Sequence, residues 1–142
     1  MKRKVLVCSI TLLISSNVIA KQIEVPQDFV ETACRFGSVY DVEPSVFVAI
    51  AYHERGVVSF KDDYVFGIGI TDYGRIAEYA GLETQWNVAG NRIGEYFMGK
   101  DVSATTFQNF ARTAYKTTEW ENYGNVYYHY LELKDSLTCN GE

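Results

Sequence analysis

The sequence predicts a mainly α domain of five to six helices, with a short extended loop segment and little or no β structure. Apolar residues recur at helical spacing in several segments of the 142-residue chain. Proline and glycine stand near the ends of these segments, where helices usually begin and stop. No series of alternating apolar and polar runs indicates a set of strands.

The first two helices follow from apolar spacing and from proline and glycine positions. The segment EPSVFVAIAYHERG has Pro44 in a first-turn position and Gly56 just past its end, so it predicts a helix from about Pro44 to Arg55. The preceding segment, PQDFVETACRFGSVY, predicts a helix behind Pro26. Its apolar face consists of Phe29, Ala33, Phe36 and Tyr40.

The second half of the chain begins with a break in the helical pattern. SFKDDYVFGIGITD predicts a loop with a short extended piece, and RIAEYAGL predicts a short helix capped by Asp72 and ended by Gly81. TQWNVAGNRIGEYFMG predicts a longer helix, and SATTFQNFARTAY predicts one that starts at Ser103. TEWENYGNVYYHYLELKDSL predicts the last helix, with a capping box between Thr118 and Glu121.

Residues 1–20 have the pattern of a secretory signal. A basic start, MKRK, precedes the apolar run VLVCSITLLISS and a cleavage position after Ala20. The run is too short to span a membrane as a helix. We therefore expect an exported protein, periplasmic or secreted, with one domain at residues 21–142 and no integral membrane segment after cleavage.

The charge balance argues against two classes of partner. Removing Lys2, Arg3 and Lys4 from the 13 basic residues leaves 10, against 18 acidic residues, which is a net charge of −8. Nucleic acids and anionic membranes attract proteins of the opposite sign. We expect neither as a partner, and we expect a monomer.

Cys34 and Cys139 are the cysteines that remain after signal cleavage. An even count in an exported chain favours a disulfide between the first helix and the C-terminal tail, and two separate buried thiols are the alternative. The two histidines, His53 and His129, do not have zinc-site spacing to a cysteine. No metal and no cofactor are therefore expected.

Glu54 has an unusual position for a carboxylate. In the last turn of the predicted second helix, unpaired backbone carbonyls disfavour a negative charge by roughly 0.3–1 kcal/mol. Neighbours such as Phe60 and Phe66 would desolvate the carboxylate further, and both effects raise its pKa. A glycosidase general acid requires such a raised pKa. The alternative is a solvated surface glutamate that precedes a capping glycine.

Three motifs, in this order, resemble the glucosaminidase branch of the lysozyme-like peptidoglycan hydrolases. HERG carries Glu54 at a helix end, VFGIGITD follows, and AYKTTEW carries Tyr115 before the last helix. The resemblance spans about residues 27 to 133 and implies a compact lysozyme-like helical domain. It also implies that Glu54 is the catalytic acid and that Tyr115 faces it.

The resemblance further implies that VFGIGITD forms the floor of a sugar cleft. An aromatic residue, a glycine-rich stretch and an acid of this region are then expected to bind substrate. These expected substrate-binding residues are Tyr64, Phe66, Gly67, Ile68, Gly69 and Asp72.

Two departures from the family bear on the mechanism. Val57 replaces the usual aromatic residue, and no segment predicts the β lobe that supplies a second carboxylate in some members. The other nearby acids, Asp62, Asp63 and Glu119, are explained more simply as solvated loop or helix-start residues. Catalysis would then be assisted by the 2-acetamido group of the substrate.

The expected activity is hydrolysis of β-1,4 bonds after N-acetylglucosamine in peptidoglycan glycan strands, with Glu54 as general acid. One alternative is a lytic transglycosylase that acts after N-acetylmuramic acid and also needs a single glutamate. Another is a non-catalytic glycan-binding protein that retains the cleft. A third is an exported inhibitor or toxin-like domain, but that function leaves the order of the motifs unexplained.

Overall fold

The computed structural model describes residues 23–55 and 60–140. The prediction of a mainly α domain with little β structure is confirmed. The predicted signal segment, residues 1–20, and the helix-stop residue Gly56 lie outside the described residues. The helices are α1 (Gln27–Tyr40), α2 (Pro44–Arg55), α3 (Leu82–Gln85), α4 (Asn91–Phe97), α5 (Ala104–Thr113) and α6 (Val126–Leu133).

Helix α2 is the central helix of the core. Residues 45–51 are at most 3 % exposed, because the segment is apolar around its whole circumference. α1 and α6 pack against α2. The helix begins at Pro44 and ends at Arg55, as predicted. Its last turn therefore carries Glu54 out of the core toward the surface.

A continuous helical stretch runs from α3 to α4 through a π-helical segment, Trp86–Gly90. It confirms the predicted long helix and adds one widened turn. Two glycines in this stretch allow α1 to pack closely. A Cβ at Gly90 would lie 2.7 Å from a ring carbon of Phe36, and one at Gly94 would lie 2.1 Å from a ring carbon of Tyr40.

The extended piece after the FGIG motif is a minimal hairpin. Strands β1 (Ile70–Thr71) and β2 (Gly74–Arg75) are antiparallel, with Asp72 and Tyr73 at the turn. The Thr71 hydroxyl stabilises this turn, because it accepts from the Tyr73 N–H at 3.2 Å and donates to the Gly74 carbonyl at 2.8 Å.

The prediction of a short α-helix in RIAEYAGL is wrong, because this segment forms a 3-10 turn. The hairpin takes up the residues that would begin it, and only one 3-10 turn, Ala77–Tyr79, forms before Gly81. A segment this short cannot nucleate a stable α-helix. Asp72 consequently caps no helix and lies in the hairpin turn.

The start of the last helix also differs from the prediction. A 3-10 segment, Trp120–Asn125, precedes α6, and no side chain caps it. The predicted capping box of Thr118 and Glu121 is therefore wrong. The Thr117 hydroxyl instead accepts from the Glu119 N–H at 3.2 Å.

Two other sequence predictions hold. The Ser103 hydroxyl caps α5 by accepting from the Thr106 N–H at 3.1 Å. Cys34 and Cys139 form a disulfide with a Cα–Cα distance of 5.8 Å, which ties α1 to the C-terminal tail across 105 residues. In the part of the chain that the structure describes, no helix is both long and apolar enough to cross a membrane.

Candidate active-site cleft

Glu54 faces a surface cleft of about 870 Å³. The cleft lies between the end of α2, the hairpin and the segment after α5. Seven of the eight predicted catalytic and substrate-binding residues line it, and Tyr64 does not. The seven are Glu54, Phe66, Gly67, Ile68, Gly69, Asp72 and Tyr115.

Gly67 is the point of closest approach between the FGIG loop and the carboxylate. Its φ of +76° is a left-handed conformation that L side chains rarely adopt, and a Cβ there would lie 2.8 Å from Glu54 Oε2. Backbone geometry and space therefore both require glycine. This packing brings the loop backbone directly against the carboxylate of Glu54.

Tyr123 holds the other oxygen of the same carboxylate. Its hydroxyl donates to Glu54 Oε1, and its ring lies edge-on to the ring of His53, with the centroids 4.7 Å apart. The contact between Tyr123 and Glu54 was not predicted from the sequence. The two partners are 69 residues apart, and Tyr123 lies in a 3-10 segment where helical spacing gives no guide to direction.

Tyr115 lies on the same side of the cleft and is tied to the FGIG loop. Its hydroxyl donates to the Phe66 carbonyl at 3.2 Å, and its ring centroid lies 6.2 Å from that of Tyr123. Burial raises the pKa of Tyr115 well above its usual value, and the charge of Glu54 adds to this rise while Arg92 opposes it. Tyr115 is therefore a neutral hydroxyl at physiological pH.

Gln85 positions the loop and was missed by the sequence analysis. It is fully buried, and its Oε1 accepts from the Phe66 N–H at 3.0 Å. Its Nε2 donates to the carbonyls of Ile68 and Tyr79 at 2.8 and 2.7 Å. One amide thus satisfies two backbone groups of the loop that faces Glu54 and ties that loop to the 3-10 turn that ends at Tyr79. A polar residue within a helical segment gives no sequence signal for this role.

Tyr64 packs against the hairpin and is buried. It is 7 % exposed, and its hydroxyl donates to the Ile76 carbonyl at 3.1 Å. The Arg75 guanidinium lies over its ring at 5.2 Å. The structure therefore does not bring Tyr64 into contact with the cleft.

The remaining candidate acids lie outside the cleft. The Asp62 carboxylate accepts from the Tyr64 N–H at 2.7 Å, and Asp63 and Glu119 are exposed. Among the described residues that line the cleft, the carboxylates belong to Glu54 and Asp72.

His53 lies beside Tyr123, and His129 lies on His53 and Tyr52. The ring centroids of His53 and His129 are 6.2 Å apart. Burial lowers the pKa of each, and the neighbouring His129 lowers that of His53 further. Both are therefore neutral near pH 7.

Within residues 23–55 and 60–140, no group of three or more His, Cys, Asp or Glu side chains could hold a metal ion. The described lining of the cleft offers the carboxyl groups of Glu54 and Asp72, tyrosine hydroxyls that include that of Tyr115, and the backbone of a glycine-rich loop. No family model matches the chain, and no curated protein and no solved structure matches it either.

Proposed function

We propose that this protein cleaves the glycan strands of peptidoglycan, with Glu54 as the general acid. The observation that carries the proposal is the setting of Glu54. It lies in the last turn of the central helix α2, faces an open cleft, and has one carboxylate oxygen on Tyr123 and the other against Gly67. A proton donor for a glycosidic oxygen requires such a combination of fixed position and access.

Tyr123 supports both protonation states of Glu54. A phenol can donate to a carboxylate and can accept from a carboxylic acid. The carboxyl group therefore keeps its hydrogen-bond partner before and after it transfers a proton. The negative field at the C-terminal end of α2 favours the protonated form, which is the form that begins the reaction.

The substrate's 2-acetamido group supplies the second half of the mechanism. Glu54 protonates the leaving oxygen, and the acetamido oxygen attacks the anomeric carbon as the glycosidic bond breaks. This attack closes a five-membered oxazolinium ring on the sugar. Water then attacks the anomeric carbon, which opens the oxazolinium ring, and gives a proton to the Glu54 carboxylate. We assign Tyr115 the role of orienting the acetamido group, because its neutral hydroxyl donates to the Phe66 carbonyl and can still accept from the acetamido N–H.

The choice of bond rests on the motifs. VFGIGITD and AYKTTEW resemble the glucosaminidase branch, and we infer cleavage after N-acetylglucosamine by an exported enzyme. A lytic transglycosylase is the second candidate. The transglycosylase reaction also needs a single acid. It is therefore consistent with Glu54 as the cleft carboxylate that is held by buried residues.

Product analysis separates these activities. Purified peptidoglycan is digested, the new ends are reduced with borohydride, and the fragments are identified by mass spectrometry. Reduced glucosamine ends are expected. Anhydromuramic ends would instead indicate the transglycosylase, and reduced muramic ends a muramidase. Strand binding without new ends would indicate a glycan-binding protein.

A further inference from the structure

We infer that the Glu54 cleft contains a carboxylate-binding site, formed by Arg92 and Lys116, that selects glycan strands carrying acidic groups over strands whose acidic groups are neutralised. The inference rests on the proposed function and names the substrate class of that same cleft. It concerns a part of the cleft for which the sequence motifs give no expectation.

Two cations line the cleft from different elements. Arg92 comes from the first turn of α4 and Lys116 from the segment after α5, and both line the cleft with exposed side chains. The described lining of the cleft also carries the carboxyl groups of Glu54 and Asp72, and Arg92 and Lys116 are the cationic side chains of this lining. Arg92 is near enough to Tyr115 to lower the pKa of that phenol.

Neither cation is used by the fold. Across residues 23–55 and 60–140, no hydrogen bond or ion pair engages the side chain of Arg92 or Lys116. By contrast, the Arg112 guanidinium lies over the Trp120 ring at 5.2 Å, and the Lys100 amino group donates to the Tyr96 carbonyl. The two cleft cations are therefore available to a ligand.

The backbone at Lys116 supports the same conclusion. Its φ of +56° is left-handed, and the turn it makes lets the Thr117 N–H donate to the Ala111 carbonyl at 3.0 Å. Glycine is the usual residue for a left-handed turn after a helix. Strained backbone at a non-glycine residue is concentrated at binding and catalytic sites. The fold keeps a cationic side chain between Tyr115 and Thr117 in spite of this strain.

The ligand group that fits these side chains is a carboxylate. Arginine binds a carboxylate through two parallel N–H donors, and lysine adds a second positive charge. A peptidoglycan strand offers carboxylates from two sources. Where the stem peptide is absent, the lactyl group of muramic acid is free. Where the peptide is attached, the lactyl group is an amide and the peptide itself carries the acids.

The test compares charged and neutralised strands. The substrates are strands with stem peptides, strands freed of peptides by an amidase, and each of these after carbodiimide coupling to methylamine. The proteins are the wild type, Arg92→Gln, Lys116→Gln, the double variant, and Lys134→Gln as an exposed cation outside the cleft. Thermal unfolding checks that each variant is folded.

We expect each cleft variant to lower kcat/KM on charged strands by about two- to fivefold, with no change on neutralised strands. Added salt should reduce the preference of the wild type for charged strands. Lys134→Gln should behave as the wild type. A loss on strands with peptides identifies the stem peptide as the source of the carboxylate. A loss on strands without peptides identifies the lactyl group.

Binding separates this inference from the proposed cleavage. The same variants are made in a Glu54→Gln background, and their affinity for each strand is measured by calorimetry. Weaker binding to charged strands in the cleft variants supports the site even if the wild type cuts nothing, in which case only the proposed cleavage fails. Equal binding to charged and neutralised strands, unaffected by either substitution, overturns the inference and leaves the cleavage intact.

Discussion

The two walls of the cleft differ in how firmly they are held. The helical wall carries Glu54 and Tyr115 and packs on the core. The Tyr123 hydroxyl donates to Glu54, and the Tyr115 hydroxyl donates to the Phe66 carbonyl. The hairpin wall, residues 70–78, is exposed along its whole length. Proton transfer needs atoms fixed within fractions of an ångström, whereas binding a polymer does not. The difference suggests that chemistry belongs to the first wall and substrate contact to the second.

The largest effect is expected from the substitution Glu54→Gln in the helical wall. The amide keeps the shape of the side chain and removes the transferable proton, so cleavage of peptidoglycan should fall by about 10²–10⁴-fold. Release of reducing ends measures the effect, and the unfolding temperature serves as the control for folding. A folded variant with activity near that of the wild type would remove Glu54 from the mechanism.

Removal of the disulfide tests whether the geometry of the helical wall changes when the stability of the whole domain is lowered. Replacing both Cys34 and Cys139 by serine opens a loop closed across 105 residues and should lower the free energy of unfolding by up to about 4–5 kcal/mol. Neither cysteine lines the cleft, so activity at low temperature should persist. Denaturant unfolding and activity at 10 °C provide the two measurements. Equal stability of the variant and the wild type would contradict the expected role.

Gly67 lies at the junction of the two walls, and Gly99 provides a matched control. Their φ angles are +76° and +74°, but a Cβ would contact Glu54 only at Gly67 and would meet nothing within 4 Å at Gly99. Gly67→Ala and Gly99→Ala should each cost about 1–2 kcal/mol of stability through backbone strain. Only Gly67→Ala should also lower activity, because it displaces the carboxylate. Equal activity of the two variants would show that the contact is unimportant.

The hairpin wall should respond differently, and Tyr73→Ala tests this. Tyr73 is fully exposed at the turn and lines the cleft, so it offers an aromatic face to a sugar ring. Its loss should raise KM by about three- to tenfold, which corresponds to about 1 kcal/mol of binding, with kcat and the unfolding temperature unchanged. Tyr128→Ala, an exposed tyrosine of α6 outside the cleft, is the control. A fall in kcat would place Tyr73 with the chemistry instead.

The smallest expected effect concerns pH. The folded-state pKa values of His53 and His129 lie below the ordinary value of about 6.5, so the unfolded chain binds more protons than the folded chain below that pH. Their contribution to stability is therefore complete above about pH 6.5 and is lost as the pH falls. Denaturant unfolding at pH 7.5 and 5.5 should show a smaller loss for the double variant His53→Asn, His129→Asn than for the wild type. An identical loss would contradict this linkage.

Local signals were sufficient to predict the helical framework and the position of Glu54. Pro44, the all-apolar segment and the proximity of Gly56 define α2 within the sequence itself. The disulfide was predictable because the number of cysteines left few choices.

The contacts that complete the site are long-range, and no local pattern encodes them. Tyr123 reaches Glu54 across 69 residues, and Gln85 reaches the loop across 17 and 19 residues. Asp72 was misassigned because its sequence context suits a helix cap, while the hairpin competes for the same residues. Tyr64 was expected in the cleft because an aromatic residue beside the motif could point to either side of the loop.

The burial of residues 45–51 of α2 has a consequence for the dynamics of this helix. Amide hydrogens in residues 45–51 can exchange with solvent only when the helix is exposed, and that requires the packing of α1 and α6 against it to be lost. Exchange in this segment should therefore report the free energy of global unfolding, while the amides of residues 70–78 exchange through local openings. Heat inactivation and the melting of α2 should then occur as a single transition, because the buried segment that leads to Glu54 opens only when the core opens.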